Sequence, residues 1–226
     1  DELAEHLSTR YRVICPDTRG HGRSQVPTDS LTLSELAADA ARVIDEVAEG
    51  PVIWVGLSMG GMIGQELAIR HPDKVKALVL SNTTSVYPPS AREALGQRIA
   101  AIEAHGLGAV STSAMTRFFS EPFRLSQAAT VARHQRLLES TDPEGYIACA
   151  AAVCEVNTSA RLNQIRIPSL VIASEFDEGT PLDMALTLAR GIARSQLVTL
   201  AGCAHLSAVE QPRAFSDVVG EFVASL

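Results

Sequence analysis

The chain has 226 residues, a formal net charge of −7 and an isoelectric point near 5.4. Hydrophobic residues make up 46% of it and charged residues 20%, which is typical of a globular protein and excludes a disordered chain. The acidic balance argues against nucleic-acid binding, because that function requires a basic patch or stripe. No apolar stretch reaches the roughly 20 residues that a membrane span needs.

The four cysteines, at positions 15, 149, 154 and 203, form no Cys-x-x-Cys pair. The sequence therefore indicates neither a zinc site nor a redox motif. A chain of this length can build its hydrophobic core without disulfides. We therefore expect reduced thiols and a cytoplasmic protein.

Helical and strand-like patterns alternate along the first third of the chain. The predicted elements, in chain order, are a short helix at the start, a strand at 11–15, a helix at 32–48, a buried strand at 52–55, a helix at 59–70 and a strand at 75–80. Thr32 and Glu35 have the spacing of a capping box. This alternation is typical of a parallel sheet covered by helices.

The same alternation returns near the C-terminus. The predicted elements there are strands at 168–173 and 196–200 and helices at 181–192 and 211–225.

The intervening residues 84–164 contain no good strand, are helical in pattern and are rich in alanine. We therefore expect an α/β fold with a mostly parallel sheet, whose core is formed by residues 1–83 and 165–226. A helical cap, residues 84–164, is inserted between two strands of that core.

The most informative motif is Gly56-Leu57-Ser58-Met59-Gly60, between a predicted strand and a predicted helix. A Gly-x-Ser-x-Gly turn in this context is a nucleophile elbow, which strains the serine backbone and exposes its hydroxyl above the sheet. The motif predicts that Ser58 is a nucleophile. The amide N–H of Met59, at the helix N-terminus, is a candidate oxyanion donor.

A nucleophilic serine needs a base and an orienting acid, which in this arrangement follow in the order Ser, Asp or Glu, His. Asp177 and His205 each follow a predicted strand, and ligand chemistry in open α/β sheets occurs at the carboxyl ends of strands. Glu175 and Glu178 are rival acids. Asp177 is better placed, because Thr180-Pro181 begins the next helix directly after it.

Several segments together resemble the α/β-hydrolase fold family. They are residues 17–24 (Asp-Thr-Arg-Gly-His-Gly-Arg-Ser), the elbow with Gly61, Asp177 before Thr180-Pro181, and residues 204–212 around His205. Within that family the chain resembles the 3-oxoadipate enol-lactonases. The more discriminating match is the cap segment 141–146 (Thr-Asp-Pro-Glu-Gly-Tyr).

The resemblance implies hydrolysis of the ring ester of 3-oxoadipate enol-lactone in the breakdown of aromatic compounds, through the triad Ser58, His205 and Asp177. No metal or organic cofactor is needed for that chemistry. Both a covalent acyl-enzyme and direct attack by water activated by His205 remain open. The expected partner is a small lactone or ester, with no nucleic acid and no membrane, and a homo-oligomer is left open.

The implied substrate carries a carboxylate, so a cation is expected near the pocket. Arg117 in the cap is the first candidate, because arginine binds carboxylates through two parallel hydrogen bonds. Arg124 and Arg133 are its rivals, and Phe118 is a candidate wall of the pocket.

Other functions remain open on the same scaffold. The enzyme alternatives are a general carboxylesterase, a carbon–carbon bond hydrolase and a perhydrolase without a cofactor. Ser58 argues against haloalkane dehalogenases and epoxide hydrolases, which use an aspartate at that position. A different class is a slow-turnover receptor for a small molecule that retains the triad.

The family pattern begins some tens of residues before Asp1. In the family, a further strand lies between the strands predicted at 11–15 and 52–55, and an upstream loop carries the second oxyanion donor. We therefore expect this chain to be part of a longer protein. We also expect residues 1–226 alone to fold poorly and to turn over slowly.

Overall fold

The computed structural model describes residues 2–226 and shows a four-stranded sheet flanked by helices. All strand pairs are parallel, in the spatial order β1-β2-β3-β4. The strands are β1 Val52–Leu57, β2 Val75–Ser81, β3 Ser169–Ser174 and β4 Ser195–Leu200. The strands predicted at 52–55, 75–80, 168–173 and 196–200 are thus confirmed within two residues at each end.

The α-helices have these bounds: α1 Glu2–Ser8, α2 Leu33–Val47, α3 Met59–Arg70, α4 Pro89–His105, α5 Gly108–Phe118, α6 Glu121–Ser126, α7 Ala128–Glu139, α8 Pro143–Cys154, α9 Leu182–Gly191, α10 Ser207–Glu210 and α11 Pro212–Ala224. A 3-10 helix spans Ser159–Gln164. The predicted capping box is confirmed: the Thr32 hydroxyl accepts the N–H of Glu35, and the Glu35 carboxylate accepts the N–H of Thr32 at 2.9 Å.

The sheet is buried on both faces at β2, as expected for a central parallel strand. Leu78 and Leu80 face one core, which contains the apolar sides of α2, α3 and α9. Ala77 and Val79 face a second core, which α11 covers and against which α1 packs. The predicted α/β architecture is therefore confirmed, with helices on both faces of a parallel sheet.

Five α-helices, α4 to α8, and the 3-10 helix lie between β2 and β3 in the chain. They form the predicted helical insertion between two neighbouring strands. Part of it packs in two small clusters, one around Ile102 and Val110 and another around Met115 and Phe119, while Cys149 of α8 belongs to the main core. The boundaries at residues 84 and 164 stay a prediction.

The strand predicted at 11–15 is wrong. Residues 12–15 have no regular secondary structure, and Tyr11, Val13 and Ile14 are 39%, 37% and 39% exposed. An apolar run becomes a strand only where a neighbour pairs with its backbone groups. No strand in the described part of the chain lies beside this run.

The strand at 52–55 exists, but the prediction that it is buried is wrong. Its side chains are partly buried to exposed, with Val55 at 36% exposure. Within residues 2–226, β1 is an edge of the sheet and pairs only with β2. A strand that pairs on one side has fewer neighbours to cover it.

The segment 141–146, which carries the resemblance to enol-lactonases, has a structural explanation. Asp142 caps α8 by accepting the N–H groups of Glu144 and Gly145, at 2.9 and 3.1 Å. Gly145 packs against the loop 17–24, where Gly20 has a φ of +81°. A Cβ on Gly20 would lie 2.9 Å from the Gly145 carbonyl oxygen, so this contact between loop and cap requires glycine.

Candidate active site

Ser58 occupies a strained turn between β1 and α3. Its φ of 53° and ψ of −116° are outside the regions that non-glycine residues ordinarily adopt. The turn is held by neighbouring groups: Ser58 N–H donates to the Ser81 carbonyl at 2.9 Å, and the Thr83 hydroxyl donates to the Ser58 carbonyl at 2.8 Å. The backbone of the predicted elbow is therefore present, and β2 and the residues after it brace it.

The glycines of the elbow have different roles. A Cβ on Gly56 would overlap the carbonyl of Gly60, so position 56 has no room for a side chain. A Cβ on Gly61 would lie only 2.7 Å from the Thr83 methyl group. The lack of a side chain at position 61 therefore allows α3 to approach the end of β2. A Cβ on Gly60 would meet no atom within 4 Å, so packing does not require glycine there.

The Met59 N–H is the first amide of α3 and has no acceptor within the helix. Met59 directly follows Ser58, so its N–H is an unused donor at the helix N-terminus, next to the serine. This arrangement suits an oxyanion donor, because the N–H and the helix dipole both favour negative charge. The predicted role of Met59 stays a proposal.

Asp177 and His205 are in contact. His205 Nδ1 lies 2.9 Å from Asp177 Oδ2, and the two residues are only 9% and 3% exposed. Asp177 is in the loop after β3 and His205 in the loop after β4, so the carboxyl ends of adjacent parallel strands bring them together. An ionised carboxylate can only accept, so Nδ1 carries the proton and Nε2 is left free to act as a base.

Asp177 is held ionised by donors on all sides. Its Oδ1 accepts the N–H groups of Gly179 and Thr180 at 2.9 and 3.1 Å, and its Oδ2 accepts the Thr180 hydroxyl at 2.6 Å. Burial alone would raise the pKa of Asp177. The hydrogen bond and charge of His205, with the donors from Thr180 and Asn82, outweigh burial and lower that pKa well below its usual range.

Asn82 is a site residue that the sequence analysis missed. Its Nδ2 donates to Asp177 Oδ2 and to the Ser174 hydroxyl, each at 2.9 Å. Its Oδ1 accepts the hydroxyls of Ser81 and Ser207 at 2.8 and 2.7 Å. The signal was its position directly after β2, at the same sheet edge as Ser58 and Asp177.

The described residues contain no hydrogen bond from the Ser58 hydroxyl, so the predicted Ser58–His205 contact is not formed in this structure. The structure thus joins the acid to the base and places the serine at the carboxyl end of β1 in the same sheet. Catalytic hydrogen bonds are often long in free enzymes and tighten with bound substrate.

Phe118 lies against the base. Its ring stacks on the His205 ring with centroids 5.9 Å apart and planes inclined by 20°. Its carbonyl accepts the Leu206 N–H at 2.9 Å. The C-terminal end of α5 therefore packs on the histidine loop, and the role of Phe118 as a wall of the pocket stays a prediction.

Glu210 ties the same loop to the cap and was also missed by the sequence analysis. Its Oε1 accepts the Ala204 N–H at 2.7 Å, one residue before His205. The same carboxylate accepts the Ser120 N–H at 3.2 Å and the Ser120 hydroxyl at 2.5 Å. The Glu210 carboxylate therefore links the backbone next to His205 to Ser120, which follows α5.

Arg117 is on the cap next to Phe118, and it is half-buried. Its Nη1 donates to the Ser113 carbonyl at 3.1 Å, while its Nη2 is buried with no hydrogen-bond partner among residues 2–226. Burial, followed by the positive charge of Arg98, lowers the pKa of Arg117. The predicted substrate-binding residue therefore has an unused donor.

The rival residues are otherwise engaged or exposed. Glu178 is exposed, and Glu175 accepts the Gly202 N–H at 2.8 Å rather than contacting His205. Arg124 donates to the Phe119 carbonyl at 2.5 Å, and so caps α5, while Arg133 is exposed. Asp177 and Arg117 thus have the better geometry for the two predicted roles.

Two further observations bear on the kind of site. In residues 2–226, no three His, Cys, Asp or Glu side chains are grouped as metal ligands. None of the helices described combines the length and the apolar character that crossing a membrane requires.

Known proteins resemble this chain over nearly its whole length. It matches the family described as alpha/beta hydrolase fold over residues 1–212. It is 32% identical to 3-oxoadipate enol-lactonase 2 of Acinetobacter baylyi, over 95% of this chain and 79% of that protein. It is 29% identical to 2-hydroxymuconate semialdehyde hydrolase of a Pseudomonas species, over 96% of this chain and 78% of that protein.

The solved structures agree with the sequence matches. The crystal structure of the enol-lactonase from Burkholderia xenovorans LB400 superposes with a TM-score of 0.94 at 28% identity. The superposition covers 99% of this chain and 85% of that one. The family match, the parallel sheet with its helical insertion and the strained serine turn lead to one conclusion: this chain is a hydrolase that belongs to the α/β-hydrolase fold family.

Proposed function

We propose that this protein hydrolyses the ring ester of a small carboxylated lactone, with 3-oxoadipate enol-lactone as the first candidate. The observation that carries the proposal is the buried Asp177–His205 hydrogen bond of 2.9 Å, at the sheet edge where Ser58 forms the strained turn. The names of the Acinetobacter and Burkholderia relatives support this substrate class.

The proposed first step is acyl transfer. His205 Nε2 takes the proton of the Ser58 hydroxyl, and Ser58 Oγ attacks the lactone carbonyl carbon. The carbonyl oxygen becomes an oxyanion, which the Met59 N–H stabilises. The C–O bond of the ring then breaks, and the histidine proton passes to the departing enol oxygen.

The second step is hydrolysis of the acyl-enzyme. His205 takes a proton from a water molecule, whose oxygen attacks the acyl carbon, and the Ser58–acyl bond breaks as Ser58 recovers its proton. Asp177 stabilises the imidazolium in both steps through its bond to Nδ1. The protein thus supplies the nucleophile, the base and the acid, and water is the only other reactant.

A substrate panel tests the proposal. The protein is assayed with 3-oxoadipate enol-lactone, with p-nitrophenyl acetate as an uncharged ester, and with 2-hydroxymuconate semialdehyde as a carbon–carbon substrate. Among the three compounds, we expect the highest kcat/KM for the lactone, with multiple turnovers for each protein molecule. A higher kcat/KM for either of the other compounds would show that the lactone is not the preferred substrate. Binding of the lactone without turnover would support the receptor alternative.

We also propose a cytoplasmic location. All four cysteines are free thiols, and two of them, Cys149 and Cys203, are buried. Proteins of oxidising compartments commonly pair their cysteines. Recovery of the native protein in the cytoplasmic fraction of its source would agree, and recovery outside that fraction would contradict this part of the proposal.

A further inference from the structure

Three arginines are on two neighbouring helices of the cap, and two of them have a buried N–H group without a hydrogen-bond partner in residues 2–226. Arg92 and Arg98 are on α4, and Arg117 is on α5. None of the three forms an ion pair with an acidic side chain of residues 2–226. In a chain with net charge −7, three such cations in neighbouring helices are an unbalanced local charge.

Two of these guanidinium groups contain buried donors without acceptors. Arg92 Nε and Arg117 Nη2 are both buried, and neither has a hydrogen-bond partner in the described part of the chain. Arg98 also donates no side-chain hydrogen bond within residues 2–226. Buried N–H groups are nearly always paired, so these donors can bind an acceptor that residues 2–226 do not supply.

The three arginines are on helices that pack together, because α4 contacts both α5 and α8. The positive charge of Arg98 acts on Arg117, where it lowers the pKa together with burial. Arg92 and Arg98 both act on the Cys154 thiol at the end of α8, where they oppose the rise in pKa that burial causes. Like charges repel, so this grouping is stabilised when an anion lies among them.

The group is on the catalytic side of the cap. Arg117 directly precedes Phe118, whose ring stacks on His205 at 5.9 Å. Tyr87 lies two residues before α4 in the chain. Burial and the negative charge of Asp177 raise the pKa of Tyr87 to about 12, while the positive charge of Arg98 opposes the rise. Tyr87 is therefore near both Asp177 and Arg98.

We propose that Arg92, Arg98 and Arg117 form one anion site that binds the carboxylate of the substrate. Arginine suits this ligand, because its fork of N–H groups matches two carboxylate oxygens. The inference rests on the proposed lactonase function and extends it: Arg117 does not act alone, and α4 supplies two further cations. The site selects carboxylated lactones and esters over uncharged ones.

The test measures binding without turnover. Adipate, a six-carbon dicarboxylate, is titrated calorimetrically into the full chain and into the variants Arg92→Gln, Arg98→Gln and Arg117→Gln. Arg133→Gln, which changes an exposed arginine of α7, is the matched control. We expect Kd for adipate to rise about 10-fold to 100-fold in each of the first three variants, as for a lost charge-assisted contact, and to stay unchanged in the control.

Dimethyl adipate and inorganic phosphate are the comparison ligands. We expect no measurable binding of the uncharged diester, and weaker binding of phosphate than of adipate. Unchanged adipate affinity in Arg98→Gln and Arg92→Gln, in protein that melts like the wild type, would overturn the three-arginine site. Equal loss in Arg133→Gln would also overturn it. Arg98→Lys and Arg117→Lys retain the charge and replace any glutamine variant that fails to fold.

This binding assay separates the two proposals. Adipate binding that depends on the arginines, without lactone hydrolysis, would retain the anion site and reject the lactonase function. Lactone hydrolysis with kcat/KM unaffected in all three arginine variants would retain the function and reject the site.

Discussion

Asp177 Oδ2 lies 2.9 Å from His205 Nδ1, and the same oxygen lies 2.9 Å from Asn82 Nδ2. Residues from the ends of β2, β3 and β4 therefore meet at one carboxylate oxygen. The Asn82 amide holds the Asp177 carboxylate, and the carboxylate orients the His205 ring so that Nε2 is left for chemistry.

Replacing the acid tests the orientation directly. Asp177→Asn keeps the size of the side chain but removes the charge and presents an amide to His205. We expect kcat to fall about 10⁴-fold with little change in KM, because the wrong histidine tautomer is favoured. Steady-state kinetics measure the effect, and Glu175→Gln is the control. A larger loss in the control would identify Glu175 as the acid.

The lowered pKa of Asp177 also predicts how stability changes with pH. A carboxylate whose native pKa lies below the unfolded value of about 3.9 stabilises the native state above that pH. This contribution is lost as pH falls through the native pKa. Urea unfolding of the wild type and of Asp177→Asn should therefore show a difference in free energy that shrinks as pH falls below about 4. A difference that grows on acidification would contradict the shift.

Asn82 is expected to act as a positioning residue through Asp177. Its φ of 46° is in the left-handed region, and its side chain is 2% exposed with four hydrogen-bonded partners. Asn82→Ala should lower the free energy of unfolding by about 1–3 kcal/mol, because buried partners lose their bonds. It should also lower kcat more than it changes KM.

Asn82→Gly is the matched variant, because glycine accepts the backbone angle but lacks the side chain. Similar losses in the alanine and glycine variants would assign the effect to the hydrogen bonds. Near wild-type stability and kcat in Asn82→Gly would show that only the backbone angle matters.

Glu210 is expected to hold the histidine loop against the cap. Glu210→Gln leaves one acceptor oxygen in place of two, so the bonds to Ala204 and Ser120 cannot all remain. We expect faster hydrogen exchange at the amides of Ala204 and Ser120 and a fall in kcat of about 10-fold, since a 1.4 kcal/mol loss of positioning has that effect. Unchanged exchange at both amides would reject this role, and Glu178→Gln is an exposed control.

Local sequence patterns were sufficient to predict much of the fold. Periodicity located the strands of the sheet because β2 and β3 are buried on both faces, and the capping box located the start of α2. The run at 11–15 misled because apolar composition alone does not supply a pairing neighbour. For the same reason the burial of β1 was overestimated, since burial depends on which strand lies beside it.

The candidate site was predictable where chemistry is concentrated in a motif or at a strand end. Ser58, Asp177 and His205 were predicted in this way, and the structure shows the strained turn at Ser58 and the contact between Asp177 and His205. Asn82 and Glu210 were missed because their roles arise from contacts with residues far away in the chain, such as Ser207 and Ser120. The grouping of Arg98 with Arg117 depends on how α4 packs on α5, which no local pattern contains.

The most direct test of the central claim is the turnover of 3-oxoadipate enol-lactone by Ser58→Ala beside the wild type. We predict that kcat falls by several orders of magnitude, about 10⁴-fold or more, because Ser58 Oγ is the attacking atom of the proposed first step. The melting temperature should stay near that of the wild type, because the Ser58 hydroxyl makes no hydrogen bond within residues 2–226 that alanine would remove. Lactone turnover within a few fold of the wild type in a folded Ser58→Ala protein would contradict the account.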